Sequence, residues 1–444
     1  MNTEVNAKIA LPSTRGQKGF IRSTTLTLLA FCSGFLSRCL SALKFPGVIN
    51  LVHLFVVPIV CVLVLSKVRT KNTRQIAISR SIIVGLFLFL ISVFISALIN
   101  DAGVINALIG FLLLAEPFML LVTMISLPLT AERYQWFRTW LVRFCLFHTF
   151  LAFVQQYVLH FNLLAGNEDN IQGIFYRSGA GHVVGASVAL IFGIYYFFTE
   201  KNSLLIRIAV VLATFWHMLL ADAKQVLLCL LVAGFLLLLT KLKDIGEAIK
   251  YTVFAVVLVF GLLWCIENVP AFAAFNTWSR PEIYGPDGEA TRLKMATFRI
   301  IPQYFTSPLN WWFGLGPGHT VGRLGGWMLD SYWDLLGPLG ATKSPASGAV
   351  WEATAASWLG DQSSMFSPLF GWAGIWGDYG PVGLGAYLYL SFLVWQYICQ
   401  DDFSKYCMLC VFSFGLVFSQ MEEPGYMLFT AYLIGLRWHE NLTT

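Results

Sequence analysis

The sequence predicts an all-α polytopic membrane protein with about twelve transmembrane helices and one large extracytoplasmic loop. Three observations carry that prediction. Hydrophobic residues make up 57% of the 444 positions and charged residues only 12%, whereas about a quarter of a soluble domain is charged. Twelve apolar runs are long enough, or nearly so, to cross about 30 Å of hydrocarbon. Between the ninth and tenth runs lies a polar, Trp-rich and Gly-rich block that cannot sit in hydrocarbon.

The runs fall near residues 25–43, 47–66, 81–99, 103–127, 140–160, 180–198, 205–220, 225–240, 251–266, 380–398, 406–420 and 425–437. The chain therefore divides into residues 1–266 with nine spans, a loop at 267–366, and residues 367–444 with three spans and the C-terminus. Lys8, Arg15, Lys18 and Arg22 precede the first run as in a signal peptide. No small-x-small cleavage pattern follows, so the run reads as a retained span.

Lys and Arg in short loops stay cytoplasmic. The N-terminus, the cluster from Lys67 to Arg80, Arg133 with Arg138, Lys201 with Arg207, Lys241 with Lys243 and Lys250, Lys405, and Arg437 alternate with charge-poor links. Both termini then face the cytoplasm, and the large loop faces outward. The net charge of +5 reads as this topology signal and not as nucleic-acid binding. All nine cysteines lie in or beside the runs and none lies in the loop, so no disulfide framework holds the loop. Cys407 and Cys410, a C-x-x-C inside an apolar run with no nearby His, read as packing and not as a zinc or redox site.

Basic residues on the outer side need another reason than topology, and anion binding is one. They are Arg177, Lys224, Arg280, Arg292, Lys294, Arg299, Arg323 and Lys343, of which Arg280 and Lys343 read as ordinary surface charges. Lys224 sits in the tight junction Ala221-Asp222-Ala223-Lys224-Gln225 between two spans. A cation held at a membrane interface is a functional candidate, with a local Asp222 pair closing the turn as the plainer alternative. Among the histidines biased to the outer side, His182 and His319 are the best two candidates.

The stretch from Asp287 to Ile301 reads as one helix, with Asp287 as N-cap and Pro302 near its end. Arg292 and Arg299, seven apart, then project from one face and with Lys224 can embrace a diphosphate. Gly314-Leu315-Gly316-Pro317-Gly318 can offer backbone N–H groups to an anion, although Gly and Pro clusters mostly mark turns. No P-loop occurs, against ATP-driven transport, and no D-x-D stands on the outer face, against a metal-dependent nucleotide-sugar enzyme. The loop's tryptophans suit interface anchoring or stacking on sugars.

In order and topology these features resemble the O-antigen polymerase and O-antigen ligase superfamily, bacterial enzymes acting on undecaprenyl-diphosphate-linked glycans. Arg177-Ser178-Gly179-Ala180-Gly181-His182 resembles the segment opening a mid-chain span. Ala221-Asp222-Ala223-Lys224-Gln225-Val226 resembles the family's Ser-Arg-Gly junction, with Lys for Arg. Arg292, followed by Phe313-Gly314-Leu315-Gly316-Pro317-Gly318, resembles the loop arginine before the Gly-x-Gly. Gly377-Asp378-Tyr379-Gly380-Pro381-Val382-Gly383-Leu384 resembles the glycine pair opening the span after the loop. The likeness covers roughly residues 170–400.

The resemblance implies a glycosyltransferase-C-like helical fold in the bacterial cytoplasmic membrane, with a metal-independent, cofactor-free site on the outer face. Lys224 and Arg292 would hold the diphosphate, with Arg177 and Arg299 as second candidates and His182, Gly316 and Gly318 beside the substrate. A base, if one is needed, is Asp361, His319 or Glu352. The implied partners are the lipid-linked oligosaccharide, membrane lipid and a chain-length regulator. Ligases of this family carry a His near the end of the loop, where this chain reads Asp361-Gln362-Ser363-Ser364, which favours a polymerase over a ligase. The alternative from another class is a lipid-linked glycan flippase or transporter, which internal repeats and midplane polar groups would favour.

Overall fold

The computed structural model describes residues 22–68, 72–166, 168–176, 180–241, 245–360 and 362–443. Among them every regular element is helical. Helical structure stands on all twelve apolar runs. The first is shared by α1 (Ser23–Phe35) and α2 (Ser37–Ala42), and α3 (His53–Lys67), α4 (Thr73–Ile99), α5 (Val104–Ser126) and α6 (Ala131–Tyr157) follow. Next come α7 (Gly181–Thr199), α8 (Leu204–Leu220), α9 (Lys224–Thr240) and α10 (Ile245–Asn268). Among the described residues five helical stretches are long and apolar enough to cross a membrane: Gly47–Lys67, Thr73–Ile99, Val104–Ser126, Ala131–Tyr157 and Gly181–Thr199. Ser23–Phe35, Leu204–Leu220, Lys224–Thr240 and Ala255–Asn268 are shorter apolar helices.

The helix starts are written locally. Asn72 accepts the amides of Arg74 and Gln75 at 3.0 and 3.2 Å, and Asp401 accepts those of Phe403 and Ser404 at 3.0 and 3.1 Å. Such caps satisfy amides that have no partner within the helix. Buried on nearly all sides, α5 packs on α3, α4 and the last helix, Pro424–Thr443.

Between α10 and Gly371 the described residues form short helices: α11 (Ala274–Trp278), α12 (Pro281–Tyr284), α13 (Glu289–Lys294), α14 (Ala296–Ile300), α15 (Asn310–Phe313), α16 (Leu329–Ser331), α17 (Trp333–Leu336) and α18 (Pro345–Ala355). The single helix expected over 287–301 is two. Gly288, not Asp287, precedes the first, and Met295, at ψ −3°, separates them. The break lets Leu293, Ala296 and Thr297 all turn inward.

Three helices complete the fold: α19 (Gly371–Tyr397), α20 (Asp402–Gly415) and α21 (Pro424–Thr443). The α19 helix kinks at Gly380, which has φ +64° and is followed by Pro381; proline has no N–H to give the helix ladder, a standard cause of kinks. Close helix approach depends on small residues: at Gly85 of α4 an added Cβ would meet Leu390 of α19 at 2.7 Å.

The segment between α10 and α19 docks on one end of this bundle through three apolar patches. Leu324, Met328, Leu329 and Leu336 pack with Leu51, Leu54, Ile109 and Leu113. Ile301, Leu315, Val321 and Val350 pack with Phe370 and Ala373. Ile283, Ala290, Leu293 and Leu359 pack with Leu228 of α9. At the opposite end of the helices lie the ion pairs Arg138–Glu200 (3.0 Å), Lys241–Asp402 (2.6 Å) and Arg437–Asp401 (3.3 Å).

Candidate functional site

A polar layer joins the docked segment to the bundle. The Asn106 carboxamide donates to the carbonyls of Pro317 and Thr342, both at 2.9 Å, and accepts the Thr342 amide at 3.0 Å. Asn310 donates to Asn100 at 2.5 Å, and Asn100 donates to the Gly314 carbonyl at 3.1 Å. At the centre is Asp378 of α19. One carboxylate oxygen accepts the Gly318 amide at 2.9 Å, and the other accepts the Thr320 amide at 2.9 Å and its hydroxyl at 2.6 Å. Gly314, Gly316 and Gly318 all have positive φ, the left-handed region that glycine tolerates. They bend the run into a nest of N–H groups.

That nest is turned inward. The Gly316 amide donates to the Asp378 carbonyl at 3.0 Å, and the Gly318 amide is spent on the Asp378 carboxylate. Of the run's amides, Gly318's is the one given to a carboxylate, and that carboxylate is the protein's own. Burial pushes the Asp378 carboxyl up to about 6 against these hydrogen bonds. Nearby Glu422, whose carboxylate accepts the Arg323 amide at 2.7 Å, is pushed up to about 8 by burial and then by Asp378.

The other expected residues are distributed as follows. Lys224 opens α9, and its ammonium pairs with Asp222, the residue that closes the turn at φ +49°. His182, at the start of α7, lies 3.7 Å from Asp169. Arg292 and Arg299 are exposed on α13 and α14, and Glu352 is exposed on α18. Lys294 reaches inward instead, giving its ammonium to the Val417 carbonyl at 2.9 Å. Burial lowers that amine to about 7. His319 is buried, with Nδ1 2.8 Å from the Leu315 carbonyl and Nε2 2.8 Å from the Thr342 hydroxyl. Since a carbonyl only accepts, Nδ1 is the donor and Nε2 accepts in the neutral ring. Burial lowers the His319 pKa, which favours that neutral form. Arg177 and Asp361 lie outside the described residues.

Lys224 and the α13 segment meet at the same end. Leu228 lies one turn beyond Lys224 on the same face of α9, and it packs against the patch containing Ala290 and Leu293 of α13. The start of α9, with Lys224, and α13, with Arg292, thus stand toward the same end of the bundle.

A second polar group was not singled out from the sequence. Arg38, His53 and Glu116, from three apolar runs, are buried at this end together with Arg323. His53 Nδ1 lies 2.7 Å from Glu116, and Arg323 pairs with Glu423. The signal was present: an ionisable residue inside an apolar run is a functional candidate by default, and Glu116 in the run 103–127 is one. Among the described residues no group of three or more His, Cys, Asp or Glu is arranged to hold a metal ion. No protein-family model matches the chain, and no curated protein matches it.

Proposed function

We propose that this protein is a polysaccharide polymerase of the bacterial cytoplasmic membrane. On this reading it crosses the membrane about twelve times in a glycosyltransferase-C-like arrangement, with both termini cytoplasmic. It joins undecaprenyl-diphosphate-linked oligosaccharide repeat units at the outer face. The observation that carries the reading is the packing of α13 on α9 beside Leu228, which brings the cationic segment to the Lys224 end of the bundle. An acceptor sugar hydroxyl attacks the anomeric carbon of the donor, the bond from that carbon to the diphosphate oxygen breaks, and the hydroxyl proton is released. Negative charge grows on the departing diphosphate, which preorganised cations stabilise. Lys224 and Arg292 take that role, with Arg177 and Arg299 as second candidates. No metal takes part.

The runner-up within the same chemistry is a ligase that moves finished glycan to lipid or protein. A second class, transport of the lipid-linked glycan, draws on the His53–Glu116 pair between two apolar helices, because buried ionisable pairs serve ion and proton pathways. Deleting the protein from its host separates the three. A polymerase leaves single repeat units on the final acceptor. Loss of a ligase strands full-length polymer on the carrier lipid, and loss of a transporter strands single units on the cytoplasmic side.

A further inference from the structure

The loop's tryptophans suit either interface anchoring or stacking on sugars, and α15 carries two of them. Trp311 and Trp312 are 58% and 60% exposed, with exposed Leu309 just before them. Between Arg299 and Arg323 the chain carries no Asp, Glu, Lys or Arg. Hydrogen bonds to α4 fix the height of α15. Asn310 donates to Asn100 at 2.5 Å, and the Ser96 hydroxyl lies 2.5 Å from the carbonyl of Phe313. At 1.5 Å per residue, Ser96 stands about 5 Å inside the end of α4 at Ile99. Thus α15 lies level with the last turn of α4, a helix long and apolar enough to cross a membrane. Leu98 on that turn is 78% exposed. The same short helix packs on the kink of α19 at Gly380, where an exposed apolar face begins with Val382. Across the α4–α5 turn the pattern repeats. The Gly103 amide donates to the Thr342 hydroxyl at 3.1 Å, and the Gly340 carbonyl stands against Gly103. Their chain neighbours Leu339 and Val104 are both exposed.

We propose that Leu309, Trp311, Trp312 and Leu339 form a lipid contact of the docked segment, seated in the interfacial zone of the bilayer around these ends of α4, α5 and α19. Continuity names the occupant. The rim extends the apolar surface that Leu98 and Val104 show at the ends of two helices long and apolar enough to cross a membrane, and lipid covers that surface. Tryptophan suits the interface because its ring is apolar while its N–H stays wet. Asp101, exposed at the tip of the α4–α5 turn, is a charge that belongs among headgroups and not in hydrocarbon. The contact holds the docked segment at a fixed depth on the membrane. It does not depend on the polymerase reading.

Photo-crosslinking of the full-length protein in phosphatidylcholine nanodiscs tests it, because the readout is local. The photoreactive amino acid p-benzoylphenylalanine is placed singly at Leu309, Trp312 or Leu339. Leu98 serves as the lipid-facing reference, and Asp287, an exposed charged position of the docked segment, as the water-facing one. After irradiation, intact-protein mass spectrometry reads the yield of lipid adduct. Yields at Leu309, Trp312 and Leu339 should match that at Leu98 and exceed that at Asp287. Yields no higher than at Asp287 overturn the proposal, as does crosslinking to a second copy of the chain in place of lipid. Absence of adduct at Leu98 as well takes the end of α4 out of the bilayer and overturns it too. Should a labelled protein fail to fold, the double variant Trp311→Phe with Trp312→Phe carries the test in nanodiscs of dibrominated phosphatidylcholine. The tryptophan emission that bromine removes should be smaller in the variant than in the parent chain, and an equal loss overturns the contact.

Discussion

Thr320 gives both its amide and its hydroxyl to a single oxygen of Asp378, at 2.9 and 2.6 Å. With Gly318 on the other oxygen, this carboxylate fastens the docked segment to α19. Removing it strands three buried donors, each costing about 1–3 kcal/mol. Asp378→Ala should therefore lower the thermal midpoint strongly and open the 314–324 stretch to protease. Thr320→Val, which loses only the hydroxyl bond, should cost about 1 kcal/mol.

The kink of α19 gives a paired prediction. Gly380 has φ +64°, and a Cβ there would meet the Trp312 carbonyl at 2.3 Å. Gly380→Ala adds the cost of a left-handed conformation, about 1–2 kcal/mol, to a clash with backbone. A Cβ at Gly385, five residues on, meets nothing within 4 Å. Gly385→Ala should be neutral or slightly stabilising, since alanine favours helix. Thermal unfolding of the two variants in one detergent checks both signs.

The Glu422 carboxyl, raised from an ordinary 4.5 to about 8, predicts a pH slope. Between those values the folded protein holds a proton that the unfolded chain has released. This contribution to stability is therefore full below about 4.5 and is lost as pH rises through about 8. Asp378, raised from 3.8 to about 6, acts in the same direction lower in the range. The two carboxyls interact and titrate as a pair. Unfolding measured across this range should show stability falling with pH, and Glu422→Gln should flatten the upper part of the slope.

His319 is held by Leu315 on one nitrogen and by Thr342 on the other. We expect it to anchor the loop and not to serve as a base. His319→Ala should reduce stability while leaving the product made per folded molecule within a few-fold. A double-mutant cycle with Thr342→Val should give a coupling of about 1 kcal/mol.

The positions of the helices were legible because apolar runs and caps are local: Asn72 and Asp401 lie within three residues of the amides they accept. The break at Met295 was not, because it serves burial of Leu293 and Ala296 against partners far along the chain. Asp378 was visible only as part of Gly377-Asp378-Tyr379-Gly380. Its ligands, Gly318 and Thr320, stand about sixty residues away, and nothing in the spacing announces them. Arg323 was marked as a basic residue needing a reason, yet its neighbour Arg38 was hidden inside the first apolar run. The sequence offered the amides of the Gly314–Gly318 run to an anion; the structure gives the Gly316 amide to the Asp378 carbonyl and the Gly318 amide to its carboxylate, pairings that local spacing does not announce.

Whether Lys224 and Arg292 hold the departing diphosphate is tested by replacing each separately with Ala and measuring polymer length in a host that depends on this protein, with protein level monitored. Loss or marked shortening of the polymer in both variants, at normal protein level, is expected. Unaltered long-chain polymer in both would contradict it.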